Sequence, residues 1–86
     1  MIDIKENNKT FSELVMGLIE NKYDIVFNYD VITYDDCWSR LAIDFSIGLK
    51  DIFIAVPVNY KTQVIDILVE NISKRIDEQI INSYKK

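Results

Sequence analysis

The sequence predicts an α+β fold, a two-layer α-β-β-β-α domain with a three-stranded antiparallel meander and both helices on one face. Three observations carry this expectation. Apolar residues recur every three to four positions near both ends of the chain, and every second position through its middle. Only Gly17, Gly48 and Pro57 punctuate the pattern, so most of the 86 residues should lie in regular elements. No linker, low-complexity stretch or internal repeat divides the chain, and residues 1–86 read as a single domain.

Residues 1–5 alternate, with Ile2 and Ile4 against Asp3 and Lys5, a pattern that fits a short extra N-terminal strand. Thr10-Phe11-Ser12-Glu13 then has the form of a capping box. In such a box the Thr10 hydroxyl accepts from the Glu13 amide, and the Glu13 carboxylate accepts from the Thr10 amide. Phe11, Leu14, Val15 and Leu18 follow at helical spacing, which predicts a helix from 11 to about 21.

From Asp24 to Val58 the period is two. Ile25, Phe27, Tyr29 and Val31 alternate with Asp24, Val26, Asn28, Asp30 and Ile32. Leu41, Ile43, Phe45 and Ile47 alternate with Arg40, Ala42, Asp44 and Ser46. Ile52, Ile54 and Val56 alternate with Phe53, Ala55 and Pro57, and the proline suits an edge or a strand end. A core face shared by the first two strands requires paired residue numbers to sum to an even value, because a one-residue slip reverses every side chain. The simplest hairpin of that kind has Asp35-Asp36-Cys37 at its tip. It pairs Tyr34 with Trp38, Ile32 with Arg40, Asn28 with Asp44 and Phe27 with Phe45. The second hairpin needs an odd sum. Pairing Ile47 with Ile52 leaves Gly48-Leu49-Lys50-Asp51 as the turn, with Gly48 suited to a positive φ.

Asn59 or Thr62 is placed to cap a last helix that runs to about Ser83. Its covered stripe would hold Lys61, Val64, Ile65, Leu68, Val69, Ile72, Ile76 and Ile80, leaving Ile67 and Ile81 outside it. Twenty residues of helix reach about 30 Å, enough to cover strands of this length from end to end.

Several chemistries are excluded by composition. The chain has no His, so an imidazole base, a Ser-His-Asp triad and a His-ligated zinc are impossible. Its single cysteine, Cys37, cannot form an internal disulfide, and the flanking Asp36 and Asp35 oppose thiolate formation. Asp35-Asp36-Cys37-Trp38 has no second ligand cluster at metal spacing, so it reads as a polar hairpin tip with an incidental thiol. No glycine-rich phosphate loop exists, and the 14 acids single out no catalytic pair. We therefore expect a protein that is not an enzyme and that uses no cofactor and no metal.

Charge narrows the partners. Ten Lys and Arg against 14 acids give a net charge of −4, and residues 24–44 carry five aspartates against Arg40 alone. Direct nucleic-acid binding is not expected of such a domain, because its affinity would have to come from basic groups on phosphates. Double-stranded-RNA-binding domains share this element order. However, Asn59-Tyr60-Lys61-Thr62-Gln63 lacks the lysine cluster a phosphate-gripping helix needs, and element order alone carries no function. The longest apolar run, Ile52 to Val58, has seven residues, too few for a membrane span. With no basic segment leading into an apolar one at Met1, a cytoplasmic location is expected.

The side of the sheet away from the helices holds the candidate partner-binding residues: Asp24, Asp30, Tyr34, Asp35, Asp36, Trp38, Arg40, Asp44 and Phe53. Large aromatics with satellite charges are enriched where proteins bind proteins. The expected function is that of a small acidic protein that binds another protein with a basic surface. Its concrete form is an inhibitor or immunity-type protein that occupies the nucleic-acid-binding site of a larger enzyme. The alternative is a homodimer or accessory subunit that uses the same open sheet face as its interface.

Overall fold

A computed structural model describes residues 4–34 and 37–84. The chain forms α1 (Ile4–Lys22), β1 (Asn28–Thr33), β2 (Ser39–Ile47), β3 (Lys50–Val58) and α2 (Ile65–Tyr84). The strands make one antiparallel sheet in the order β1-β2-β3, and the two helices pack against each other and the sheet. The layer between is built from Val15, Met16 and Ile19 of α1, alternate residues of β2 and β3, and Leu68, Ile72 and Ile76 of α2.

The first hairpin has the expected register. Asn28 pairs with Asp44 and Ile32 with Arg40, and the Tyr34 amide donates to the Trp38 carbonyl at 3.2 Å. Phe27 and Phe45 meet edge to face inside the core, with ring centroids 5.1 Å apart. The second hairpin keeps the odd sum but is two residues tighter than expected. Ile47 pairs with Lys50 and Phe45 with Ile52, which leaves only Gly48-Leu49 as the turn. Gly48 has a φ of 62°, and no other described residue has a positive φ. Positive φ at the first central position alone is the type II′ pattern, whose twist matches that of the strands. The tighter turn brings Ser46 opposite Asp51, and the Ser46 hydroxyl donates to Asp51 Oδ1 at 2.7 Å. A four-residue turn would leave Lys50 and Asp51 outside the ladder.

The first helix departs further from expectation. It is already formed at Ile4, so residues 4 and 5 are helical rather than extended, and residues 1–3 lie outside the described residues. Thr10 and Glu13 sit in its interior, exposed, so the capping box is not used. Its buried stripe is Asn8, Ser12, Val15, Met16 and Ile19, whereas Leu14 and Leu18 are 57% and 44% exposed. The expected stripe is rotated because two of the buried positions are polar. Asn8 explains one of them. Its Nδ2 donates to the Cys37 carbonyl at 3.2 Å and to Ser39 Oγ at 3.0 Å, and its Oδ1 accepts from the Tyr60 amide at 3.0 Å. Thr33 Oγ1 lies 3.0 Å from the same Ser39 hydroxyl. One fully buried amide thus ties α1 to the first hairpin and to the exit of β3.

Asn59 organises a turn rather than a helix cap. Its carbonyl accepts from the amides of Thr62 and Gln63, and its Oδ1 accepts from the Lys61 amide. Thr62 lies in the same turn, and α2 begins only at Ile65. Lys61 and Val64 are exposed rather than part of the covered stripe. Gln63 closes the turn by accepting from the Asn59 amide and donating to the Pro57 carbonyl. Leu68, Ile72 and Ile76 are buried, and Ile67 and Ile81 are more than half exposed, as the spacing predicts.

The exposed backbone of both outer strands carries side-chain partners. Arg75 Nη1 donates to the Ala55 carbonyl on β3 at 3.0 Å, and Asp30 Oδ1 accepts from the Val31 amide on β1 at 3.0 Å.

The helices run in the same direction. Asn8 near the start of α1 meets the segment before α2, while the Tyr23 hydroxyl, just past its end, donates to Asp77 Oδ1 at 2.5 Å and lies 3.1 Å from the Ser73 carbonyl. Burial, reinforced by the Asp77 carboxylate, pushes the Tyr23 phenol up to about 12. In the unfolded chain it ionises near 10, so between those values the folded state holds the extra proton. Stability contributed below pH 10 is therefore lost as the pH rises toward 12. An absorbance titration should show a last ionisation step, at about 12, from Tyr23, later than that of Tyr29, which burial also raises. Tyr23→Phe should abolish that late step and flatten the alkaline fall of the denaturation midpoint. An unchanged late step would refute the assignment.

Candidate protein-binding face

The helices cover one side of the sheet, and pleating turns every second side chain to the other. That open side carries three cross-strand rows: Asn28-Asp44-Phe53, Asp30-Ala42-Ala55 and Ile32-Arg40-Pro57. Directly opposed side chains in such rows lie about 5 Å apart, close enough to act as one surface. Phe53, Tyr34 and Ile32 are 65%, 54% and 51% exposed, and they share the surface with the exposed Asp30, Arg40 and Asp44. No helix layer is left to cover them, since α1 and α2 each bury a single stripe against the opposite face.

Of the residues expected from the sequence, Asp30, Arg40, Asp44 and Phe53 lie on the strands of this face, and Tyr34 follows at the end of β1. Trp38 is half-buried beside Tyr34. Asp24 is not in a strand. It occupies a bend before β1 and lines an open groove of about 610 Å³ together with Val26, Asn28, Asp44, Ser46 and Asp51. Asp35 and Asp36 lie outside the described residues. At the other end of the face, Tyr34, Arg40, Ala55 and Pro57 surround a smaller cleft of about 170 Å³.

Asp51 is the residue that sequence reasoning missed. With a four-residue turn it sits in the loop, but with the two-residue turn it joins β3 and faces Asp44's side of the sheet. The signal was available, because a glycine followed by one further residue between alternating strands is the II′ hairpin signature. The groove end of the face therefore gathers Asp24, Asp44 and Asp51, and the cleft end carries Arg40.

The face presents exposed apolar side chains among carboxylates. Among the described residues, no three acids or thiols are grouped so that they could hold a metal ion. Cys37 is exposed and forms no disulfide. No helix of the described residues is long and apolar enough to cross a membrane. Comparison with protein-family models, with curated proteins and with solved structures finds no match for this chain.

Proposed function

We propose that this domain acts by binding another protein through the open face of its sheet, as a small acidic inhibitor or immunity-type protein. It would occupy a basic, nucleic-acid-binding site on a larger enzyme. The observation that carries the reading is the clustering of exposed Phe53, Ile32 and Tyr34 with Asp30, Asp44 and Asp51 on the helix-free side. Burying an aromatic anchor supplies affinity, and carboxylates around it steer a basic partner and compete with phosphate for its Lys and Arg. A net charge of −4 favours that encounter at long range.

The test is to capture a partner from the native host and titrate it with purified variants. Phe53→Ala should weaken binding by at least about 2 kcal/mol while leaving the fold intact, since the side chain is mostly exposed. Asp44→Asn and Asp30→Asn should mainly slow association, and the loss should shrink at high salt. Sedimentation of the chain alone separates this from self-association. If Phe53→Ala dissolves a homodimer and the aspartate changes leave it intact or tighten it, the face joins copies of this chain and the inhibitor reading is wrong.

A further inference from the structure

The exposed side of α1 contains a glycine that the fold does not require. Gly17 lies in the middle of a 19-residue helix, and a Cβ added there would meet nothing within 4 Å. Its φ is not in the left-handed region, so no backbone conformation demands it either. Glycine is the poorest helix former after proline, and its usual justification is the close approach of another group to the backbone. Here the space above it is an open notch of about 590 Å³. Leu14, Leu18 and Ile65 form an apolar wall of that notch, and Glu13 and Glu20 supply its charge. Leu14 and Leu18 remain about half exposed, and no basic residue lines the space.

We propose that this notch is a second protein-docking site, distinct from the sheet face, and that it receives a basic amphipathic helix of a partner protein. A large apolar side chain of that helix would seat over Gly17 against Leu14, Leu18 and Ile65. Glu13 and Glu20 are seven residues apart, about 10 Å along the axis, so lysines or arginines two turns apart on the partner would pair with both. A second copy of this chain is the poorer occupant, because it is itself acidic, with a net charge of −4. Local rules broken without a structural reason mark functional positions in natural domains.

The probe is a 14-residue helical peptide of leucine and lysine, with a leucine–glutamate peptide of the same pattern as control. Both are titrated into the labelled full chain while backbone amide shifts are followed. The lysine peptide should perturb residues 13–21 and the start of α2, and the glutamate peptide should not. Gly17→Leu should fill the notch and weaken binding at least tenfold with a native-like spectrum. Gly17→Ala should raise Tm by about 4–8 °C, which shows that the glycine is kept at a cost to the helix. Glu13→Gln with Glu20→Gln should weaken binding and flatten its salt dependence, and Phe53→Ala should leave it unchanged. The proposal is overturned if the lysine peptide maps to the groove at Asp24, Asp44 and Asp51, or if Gly17→Leu binds it as the parent does. It is equally overturned if the notch amides shift with protein concentration alone, which would make the occupant a second copy.

Discussion

Replacing Phe45 with alanine should lower the unfolding free energy by about 3–5 kcal/mol, a large share of what a domain of this size possesses. Phe45 lies on the central strand, is 3% exposed and faces the helices. Its ring meets Phe27 edge to face, and Phe27 in turn meets Tyr23 with centroids 6.1 Å apart. Phe27 precedes the first paired residue of β1, so these rings, and not the ladder, hold the entry of that strand to the core. Truncation would leave a cavity and loosen the segment from Tyr23 to Phe27 together. Phe53→Ala is the matched control, one strand away on the exposed side, and should change stability by only about 0.5 kcal/mol. Equal shifts of the urea midpoint for the two variants would mean that the sheet faces are not as described.

Asn8→Ala should cost about 2–4 kcal/mol, far more than a helical polar-to-alanine change on a surface. Asn8 is fully buried, and both ends of its amide are used. Its loss removes the hydrogen bonds it makes to the Tyr60 amide, the Cys37 carbonyl and the Ser39 hydroxyl. Asn8→Asp sharpens the test, because it keeps the shape and removes the donor. An aspartate there would face the Cys37 carbonyl, so burial and that dipole would raise its folded pKa above the unfolded 3.9. The variant should then be most stable at acid pH and lose stability as pH rises through the raised folded value. A pH-independent Asn8→Asp difference would show that the buried amide donors do not matter.

What could be read from the chain follows from where apolar side chains carry the information. The three strands and the parity of both hairpins were legible because Phe27, Ile43, Phe45, Ile54 and their neighbours alternate without interruption. The long last helix was legible through Leu68, Ile72 and Ile76. The start of α1 was not, because its buried stripe opens with Asn8 and Ser12, and a buried amide looks like a solvent-facing one until its partners are known. Those partners are 29 to 52 residues away, beyond any local pattern. At the candidate face, Asp30, Arg40, Asp44 and Phe53 followed from alternation alone. Asp51 depended on turn length, which a single glycine decides but hydrophobic spacing does not.

The side-chain partners on the outer strands bear on how this protein meets others. A three-stranded sheet ends in two rows of unpaired backbone groups, each a template on which a further strand could grow. On β3, Arg75 and Gln63 occupy the carbonyls of Ala55 and Pro57, and Pro57 has no amide hydrogen to offer. On β1, the Asp30 carboxylate holds the amide of Val31. An incoming extended segment would have to displace these groups before it gained its own ladder. At these positions the edges resist strand addition, whether by a foreign peptide or by the protein's own kind in a growing fibril. Recognition through the open face, as proposed above, would depend on side-chain identity, whereas an edge accepts almost any backbone.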